Sequence, residues 1–410
     1  MSGRDTALAA QFAARYGRPP TVLVRAPGRV NLIGEHTDYN GLPVLPFAID
    51  REVRVAAAPR DDRRVHVANL AARFPPLAYA LAPAIPPAAA GGWGNYHRAA
   101  AQGLLDALGA NSLGGGDFLV DGDVPPGAGL SSSSALVVGS MLALLALHGR
   151  EIAPARLAEL AATAERYVGT ESGGMDQAVC LLAKAGHALR IDFDPLRTRP
   201  VPIPPGAALI VCHSLVDAEK SGAARDAYNR RVRECRHACR LFERVLGAAV
   251  PSLAHLGELR RRAPERSGGE WVDRFAALRP PPDEVLLRRV RHVLSEAERV
   301  DAAELALAAG DWAALGALMD ASHASCRDDY EISCPELEVL VAAARDAGAL
   351  GARLTGAGFG GCTINLVPAG AATAFIESME RTFYRGRAGA EAREHCFAVT
   401  PSAGASVTPL

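Results

Sequence analysis

The sequence predicts an α/β chain of about two domains, or of one core with a large second lobe, and three observations predict it. The 410-residue length exceeds the size at which one hydrophobic core stops growing. Strand-like and helical stretches are interleaved along the chain rather than segregated into separate blocks. Glycine-rich turns stand where strand-like runs give way to helices or to further strands. The Pro-rich segment 200–205 is the expected boundary, which makes 1–200 the N-terminal lobe and 201–410 the C-terminal lobe.

Taken in order, residues 21–33 read as two short strands around Pro27-Gly28, and residues 34–41 as a polar loop. Residues 44–58 return to β-type composition, and residues 71–92, dense in Pro, Ala and Gly, read as an irregular excursion. Trp93, His97, Ala100 and Leu104 repeat at helical spacing over 93–108. Residues 118–124 form a strand, 132–147 an apolar helix and 154–167 a helix opened by Pro154. Strands follow at 187–193 and 208–213, an almost entirely helical stretch at 225–347, and a turn and strand at 352–367.

Composition limits the function classes. With 49% hydrophobic and 22% charged residues the chain should fold as an ordinary globular protein. A net charge of −1 provides no global field for nucleic acid or an anionic membrane, and Arg260-Arg261-Arg262 reads as a solvated helix face. The longest apolar run, 135–147, is too short to span a bilayer, and no apolar segment follows the N-terminal charges, so the expected compartment is the cytoplasm. Eight scattered cysteines without a Cys-x-x-Cys pair suit reduced thiols, and Cys235 and Cys239, at i,i+4 spacing, read as buried rather than metal-binding.

Four stretches carry chemistry. Gly127-Ala128-Gly129-Leu130-Ser131-Ser132-Ser133-Ser134 lies between a strand and an apolar helix. A helix N-terminus offers unpaired N–H groups and partial positive charge to a phosphate, and glycines let the main chain approach closely. A plain turn with an N-cap accounts for the string equally well. The Walker-type pattern is absent.

The loop from Gly28 to Gly41 packs Arg29, Asn31, Glu35, His36, Thr37, Asp38 and Asn40 into 14 residues between apolar anchors. Such a set complements a ring of hydroxyls better than it serves a turn, and Arg29 could stabilise charge on a transferring phosphoryl group. Asp176 follows Gly173-Gly174 at a helix start, where it is either a cap or a general base for a hydroxyl. Glu165 is a second carboxylate that could reach magnesium. Finally, four glycines in residues 356–361 require a backbone that comes close to a ligand or to another strand.

Together these stretches resemble one family. Arg25-Ala-Pro-Gly-Arg-Val-Asn-Leu-Ile-Gly-Glu-His-Thr-Asp-Tyr-Asn-Gly41 is similar to the galactokinase signature. Residues 126–135 and 354–362 resemble the second and third motifs of the wider galactokinase, homoserine kinase, mevalonate kinase and phosphomevalonate kinase superfamily. The resemblance implies a two-lobed α/β small-molecule kinase that uses ATP and magnesium to phosphorylate galactose at its anomeric hydroxyl; the oligomeric state is not readable from the sequence, and a monomer is the expectation. It implies Asp176 as base and Arg29 as charge stabiliser, with Glu35, His36, Thr37, Asp38, Gly174 and Tyr228 at the sugar. Trp93 would lie near adenine, Gly127, Ala128, Gly129, Leu130, Ser131, Ser132 and Ser133 at the triphosphate, and Ser133 and Glu165 at magnesium.

Two departures bear on specificity. The segment His213-Ser-Leu-Val-Asp-Ala-Glu-Lys-Ser221 and the fourth serine, Ser134, look more like the N-acetylgalactosamine kinase branch, which leaves the C2 substituent of the sugar open. A sensory regulator descended from a kinase would be expected to have lost the base or the phosphate loop, and both are present here.

Overall fold

A computed structural model describes residues 2–89, 91–169, 171–218, 222–246, 252–387 and 392–410. Residues 21–33 make one strand rather than two. β1 (Val22–Asn31) continues through Pro27-Gly28, and the expected turn is a bulge, seen as a register shift against β2 (Pro46–Pro59). Pro27 has no N–H to give a ladder. Just beyond it the Arg29 N–H is donated to Leu130 O at 3.1 Å, so the bulge is where the serine-rich loop crosses the strand.

Three further strands complete the first half of this layer: β3 (Arg64–Asn69), β4 (Leu77–Ala80) and β5 (Gly116–Gly122). β4 forms inside the segment expected to be irregular and pairs antiparallel with β3. The hairpin β6 (His187–Asp192) and β7 (Arg197–Pro202) precedes β8 (Ala207–His213), so the Pro-rich segment at 200–205 is partly strand. β9 (Gly351–Leu354), β10 (Cys362–Pro368), β11 (Cys396–Val399) and β12 (Ser406–Pro409) follow.

These strands make a six-stranded sheet in the order β12-β1-β2-β5-β3-β4, antiparallel except for β3 beside β5, and a four-stranded antiparallel sheet in the order β11-β8-β10-β9. The last strand thus returns to the first sheet, pairing Val22 with Pro409.

α1 (Gly3–Tyr16) begins with a capping box between Ser2 and Asp5. α2 (Gly94–Leu108), α3 (Ser132–Leu147), α4 (Pro154–Ala164) and α5 (Met175–Leu182) belong to the same lobe. α3 is apolar on every side, the pattern of a helix buried all round, and it lies in the core with Val24, Ala26 and Val55 of the six-stranded sheet.

The second half is largely helical, as expected: α6 (Ala223–Leu246), α7 (Gly257–Arg262), α8 (Gly268–Ala276), α9 (Glu284–Ala309), α10 (Trp312–Asp328), α11 (Pro335–Asp346) and α12 (Ala372–Met379). α6, α8 and α9 share a core in which the Phe242 and Phe275 rings stack with centroids 4.6 Å apart, and Leu42, just after the polar loop, is buried in it. α11 and α12 cover the four-stranded sheet through Leu340, Ala344 and Phe375.

On α7, Arg260, Arg261 and Arg262 pair with Asp301, Asp194 and Glu258. Cys235 and Cys239 are buried free thiols. Among the described residues no helix is long and apolar enough to cross a membrane. Residues 219–221 of the specificity segment lie outside the described residues.

Candidate active site

The serine loop ends in an unusual way. Ser131, the residue before α3, has φ +60 and makes no side-chain hydrogen bond to the helix it precedes. Its hydroxyl instead donates to Asp176 Oδ2 at 2.5 Å. The other carboxylate oxygen, Oδ1, accepts from Arg29 Nε at 2.8 Å and lies 2.7 Å from Arg29 Nη2. Arg29 Nη1 donates to Gly129 O at 2.6 Å, so the guanidinium joins the carboxylate to the loop as well.

Asp176 is reached from a different direction in the chain. Gly174 at φ +107 precedes α5, and Asp176 stands in that helix's first turn, where an acid also complements the helix dipole. Asp176, Arg29 and Ser131 are all buried.

The third glycine turn has a mechanical reason for its composition. A Cβ on Gly356 would stand 2.6 Å from Gly129 O, and φ there is +89. Two backbones meet at a distance no side chain allows, so the turn packs on the serine loop.

The polar loop is fixed by a directed chain of hydrogen bonds. His36 Nε2 is 3.1 Å from Ala357 O, a pure acceptor, so Nε2 carries the proton and Nδ1 accepts. Nδ1 therefore takes its bond from Tyr39 OH at 2.8 Å, Tyr39 OH takes one from Tyr330 OH at 2.8 Å, and Cys235 Sγ lies 3.1 Å beyond. Burial pushes the His36 imidazole down to about 3, so the ring is neutral at working pH. The Tyr228 ring lies against it with centroids 5.0 Å apart.

Asp38 Oδ2 accepts the Gly173 N–H at 3.1 Å. Burial pushes its carboxyl up to about 6, opposed by the Tyr39 N–H and helped by the negative charge of Asp176. Thr37 turns inward, its hydroxyl 2.7 Å from Pro43 O and 2.9 Å from Gly34 O.

Several supports of this loop are not visible in the sequence. Glu35 Oε1 accepts the Gly356 N–H at 2.8 Å and lies 3.3 Å from Arg353 Nη1, and Arg353 also donates to Asn31 O at 3.0 Å. Burial raises the Glu35 carboxyl, while Arg353 and Arg29 pull it back. Glu296 of α9 accepts the Gly34 N–H at 2.9 Å and the Ser322 hydroxyl at 2.6 Å. Burial would raise Glu296, yet Arg299 and His292 hold it down to about 2. The one available signal was adjacency, since Arg353 stands just before the third glycine turn.

A cleft of about 750 Å3 is lined by Arg29, Glu35, His36, Asp38, Trp93, Gly127, Gly129, Ser131, Ser132, Ser133, Asp176 and Tyr228. Twelve of the residues singled out in the sequence thus meet at one place. Thr37, Ala128, Leu130, Gly174 and Glu165 lie behind this lining, and Glu165 is wholly buried where α4 ends. Trp93 stands at an aromatic end of the cleft beside Phe74, with ring centroids 5.7 Å apart, and donates Nε1–H to Pro75 O at 2.9 Å. The geometry joins a loop of helix-terminal N–H groups and hydroxyls to a carboxylate–guanidinium pair and a pocket of polar side chains. That is equipment for transferring a phosphoryl group to a hydroxyl.

Known proteins are similar to this chain in sequence and in fold. Residues 10–59 match the family model for the galactokinase galactose-binding signature, residues 95–184 the GHMP kinases N terminal domain, and residues 303–385 the GHMP kinases C terminal model. A galactokinase of Chloroflexus aurantiacus is 43% identical over 374 residues, covering 91% of this chain and 90% of its own length. One from Roseiflexus sp. is 41% identical over 376 residues, covering 91% and 90%. The crystal structure of Lactococcus lactis galactokinase complexed with galactose superposes with a TM-score of 0.85 at 29% identity, covering 98% of this chain and 99% of that one. A mevalonate kinase structure shares the fold, with a TM-score of 0.60 at 18% identity over 92% of this chain and 98% of its own.

Proposed function

We infer the reaction from the premise that the chain belongs to the galactokinase family: it transfers the γ-phosphoryl group of ATP to the anomeric hydroxyl of galactose, giving galactose 1-phosphate and ADP. The observation that carries this reading is the Asp176 carboxylate held between Arg29 and Ser131, where the serine loop meets the polar loop.

In this reading Asp176 accepts the proton of the anomeric hydroxyl as that oxygen attacks the γ-phosphorus. The bond to the bridging oxygen breaks and ADP leaves. Arg29 compensates the charge of the carboxylate and helps stabilise charge on the phosphoryl group in flight. The backbone N–H groups of residues 127–133 and the Ser132 and Ser133 hydroxyls hold the triphosphate against the start of α3. Trp93 stands by the adenine.

Glu35, Asp38 and Tyr228 meet the sugar hydroxyls, and His36, Thr37 and Gly174 hold the pocket's shape. The lobes divide near residue 200, with β12 returning to the sheet of the first, and the enzyme acts as a monomer in the cytoplasm, a compartment that suits eight free thiols.

Magnesium fits the donors present. Ser133, on the cleft lining, would supply a hydroxyl oxygen, and Glu165, wholly buried behind that lining, would add a carboxylate. That suits a cation held largely by substrate phosphates. When bound, it neutralises charge on the phosphates.

Turnover measured side by side on galactose and N-acetylgalactosamine, in wild type and Asp176→Ala, tests the proposal. Galactose turnover lost in Asp176→Ala with nucleotide binding retained is the expected result. A preference for N-acetylgalactosamine, or turnover that survives Asp176→Ala, overturns the corresponding part.

A further inference from the structure

Ser131 departs from the local rule for its position. A serine before a helix ordinarily turns its hydroxyl onto the second or third N–H of that helix. Ser131 does not, although α3 starts at the next residue. It also holds a left-handed backbone conformation, φ +60 and ψ +36, which a residue with a Cβ rarely adopts. Conformations of this kind persist where the surroundings over-determine them, and they gather at functional sites.

What holds it is Asp176. The Ser131 hydroxyl lies 2.5 Å from Oδ2, and Ser134 Oγ stands farther off at 3.4 Å, where it also receives Gln177 Nε2 at 3.5 Å. The opposite oxygen is taken by Arg29, which is itself anchored to Gly129 O. Both ends of the carboxylate are therefore fastened to the loop of residues 127–131, by a hydroxyl on one side and through a guanidinium on the other.

We propose that Ser131 is a positioning residue for the base: its hydroxyl aims Asp176 Oδ2 at the sugar hydroxyl instead of serving as a ligand of the nucleotide phosphates. This rests on the reading of Asp176 as base given above. Phosphate binding by the loop then falls to its backbone and to Ser132 and Ser133, and the loop that holds the phosphoryl donor also sets the acceptor's base.

Ser131→Ala and Ser131→Gly test it together. Glycine adopts the left-handed conformation without strain, so it keeps the experiment open should the alanine variant fold poorly. Both variants should lose about 10- to 100-fold in kcat, the scale of a small misplacement of a reacting group. The KM for ATP and the ADP affinity measured by calorimetry should stay within about twofold.

A rise in ATP KM and a loss of ADP affinity with kcat preserved makes Ser131 a phosphate ligand and overturns the inference. A wild-type kcat in both variants does the same. Wild type and Asp176→Ala, run alongside, separate the two levels. A wild type inactive on galactose, or an active Asp176→Ala, removes the functional reading and this inference with it; an unaffected kcat in the serine variants of an otherwise normal enzyme removes this inference alone.

Discussion

Replacing Arg353 with methionine should destabilise the fold by about 3 kcal/mol, and the size follows from what the guanidinium touches. Arg353 is fully buried. It lies 3.3 Å from the Glu35 carboxylate and donates to Asn31 O at 3.0 Å and to Ser322 Oγ at 3.1 Å. Removing one partner of a buried pair costs about 3–5 kcal/mol because the other charge is stranded. Burial already raises the Glu35 carboxyl, so the stranded group takes up a proton, which caps the loss near the lower figure. That is roughly a 150-fold change in the unfolding constant. In a lobe of about 200 residues it lowers the midpoint of thermal unfolding by roughly 6–12 °C.

The sign with pH follows from the same group. A carboxyl raised in the folded state contributes stability that is fully present below its ordinary value of 4.5 and is lost as pH rises through the folded value. Arg353→Met should therefore be more damaging at pH 8 than at pH 5. Denaturant unfolding of Arg353→Met, Glu35→Gln and the double variant measures both points. A loss below about 1 kcal/mol, a loss independent of pH, or a double variant destabilised by the sum of the two singles would refute the argument.

The galactose KM should change as pH passes through about 6, where Asp38 switches from a neutral carboxyl that can donate to an acceptor-only carboxylate. His36, held down to about 3, and His292, held down to about 4, titrate elsewhere, so Asp38→Asn should flatten the inflection; one that persists belongs to another group. Asp38 also contributes to stability, fully below 3.8 and decreasingly as pH rises towards about 6. Excess chelator should abolish turnover and added Mg2+ restore it, and full turnover without divalent cation would remove Ser133 and Glu165 from their proposed role.

The sequence was most readable where one short string carries its own chemistry. The serine loop, the polar loop and Asp176 each combine rare backbone and side-chain demands within a few residues, and the cleft gathers them. What it hid was contact across distance. Arg353 and Glu296 lie more than 260 residues from the loop they hold, and each looks locally like any charged residue beside a helix or strand. The bulge at Pro27-Gly28 was misread for a related reason: Pro-Gly usually signals a turn, and only the crossing loop, whose Leu130 O stands 2.9 Å from where a Gly28 Cβ would be, shows that the strand continues. Ser131 was grouped with its neighbours because four successive serines look alike until their hydroxyls are aimed.

The pairing of β12 with β1 has a consequence for how the protein is made. Val22 pairs with Pro409, far along the chain, so the outer edge of β1 has no neighbour until β12 has left the ribosome. At about 5–20 residues per second that edge waits roughly 20–80 s. An uncovered strand edge is a template for another chain, and pairing of such long sequence separation closes slowly. β12 is thus the latch that ends the exposure of this edge.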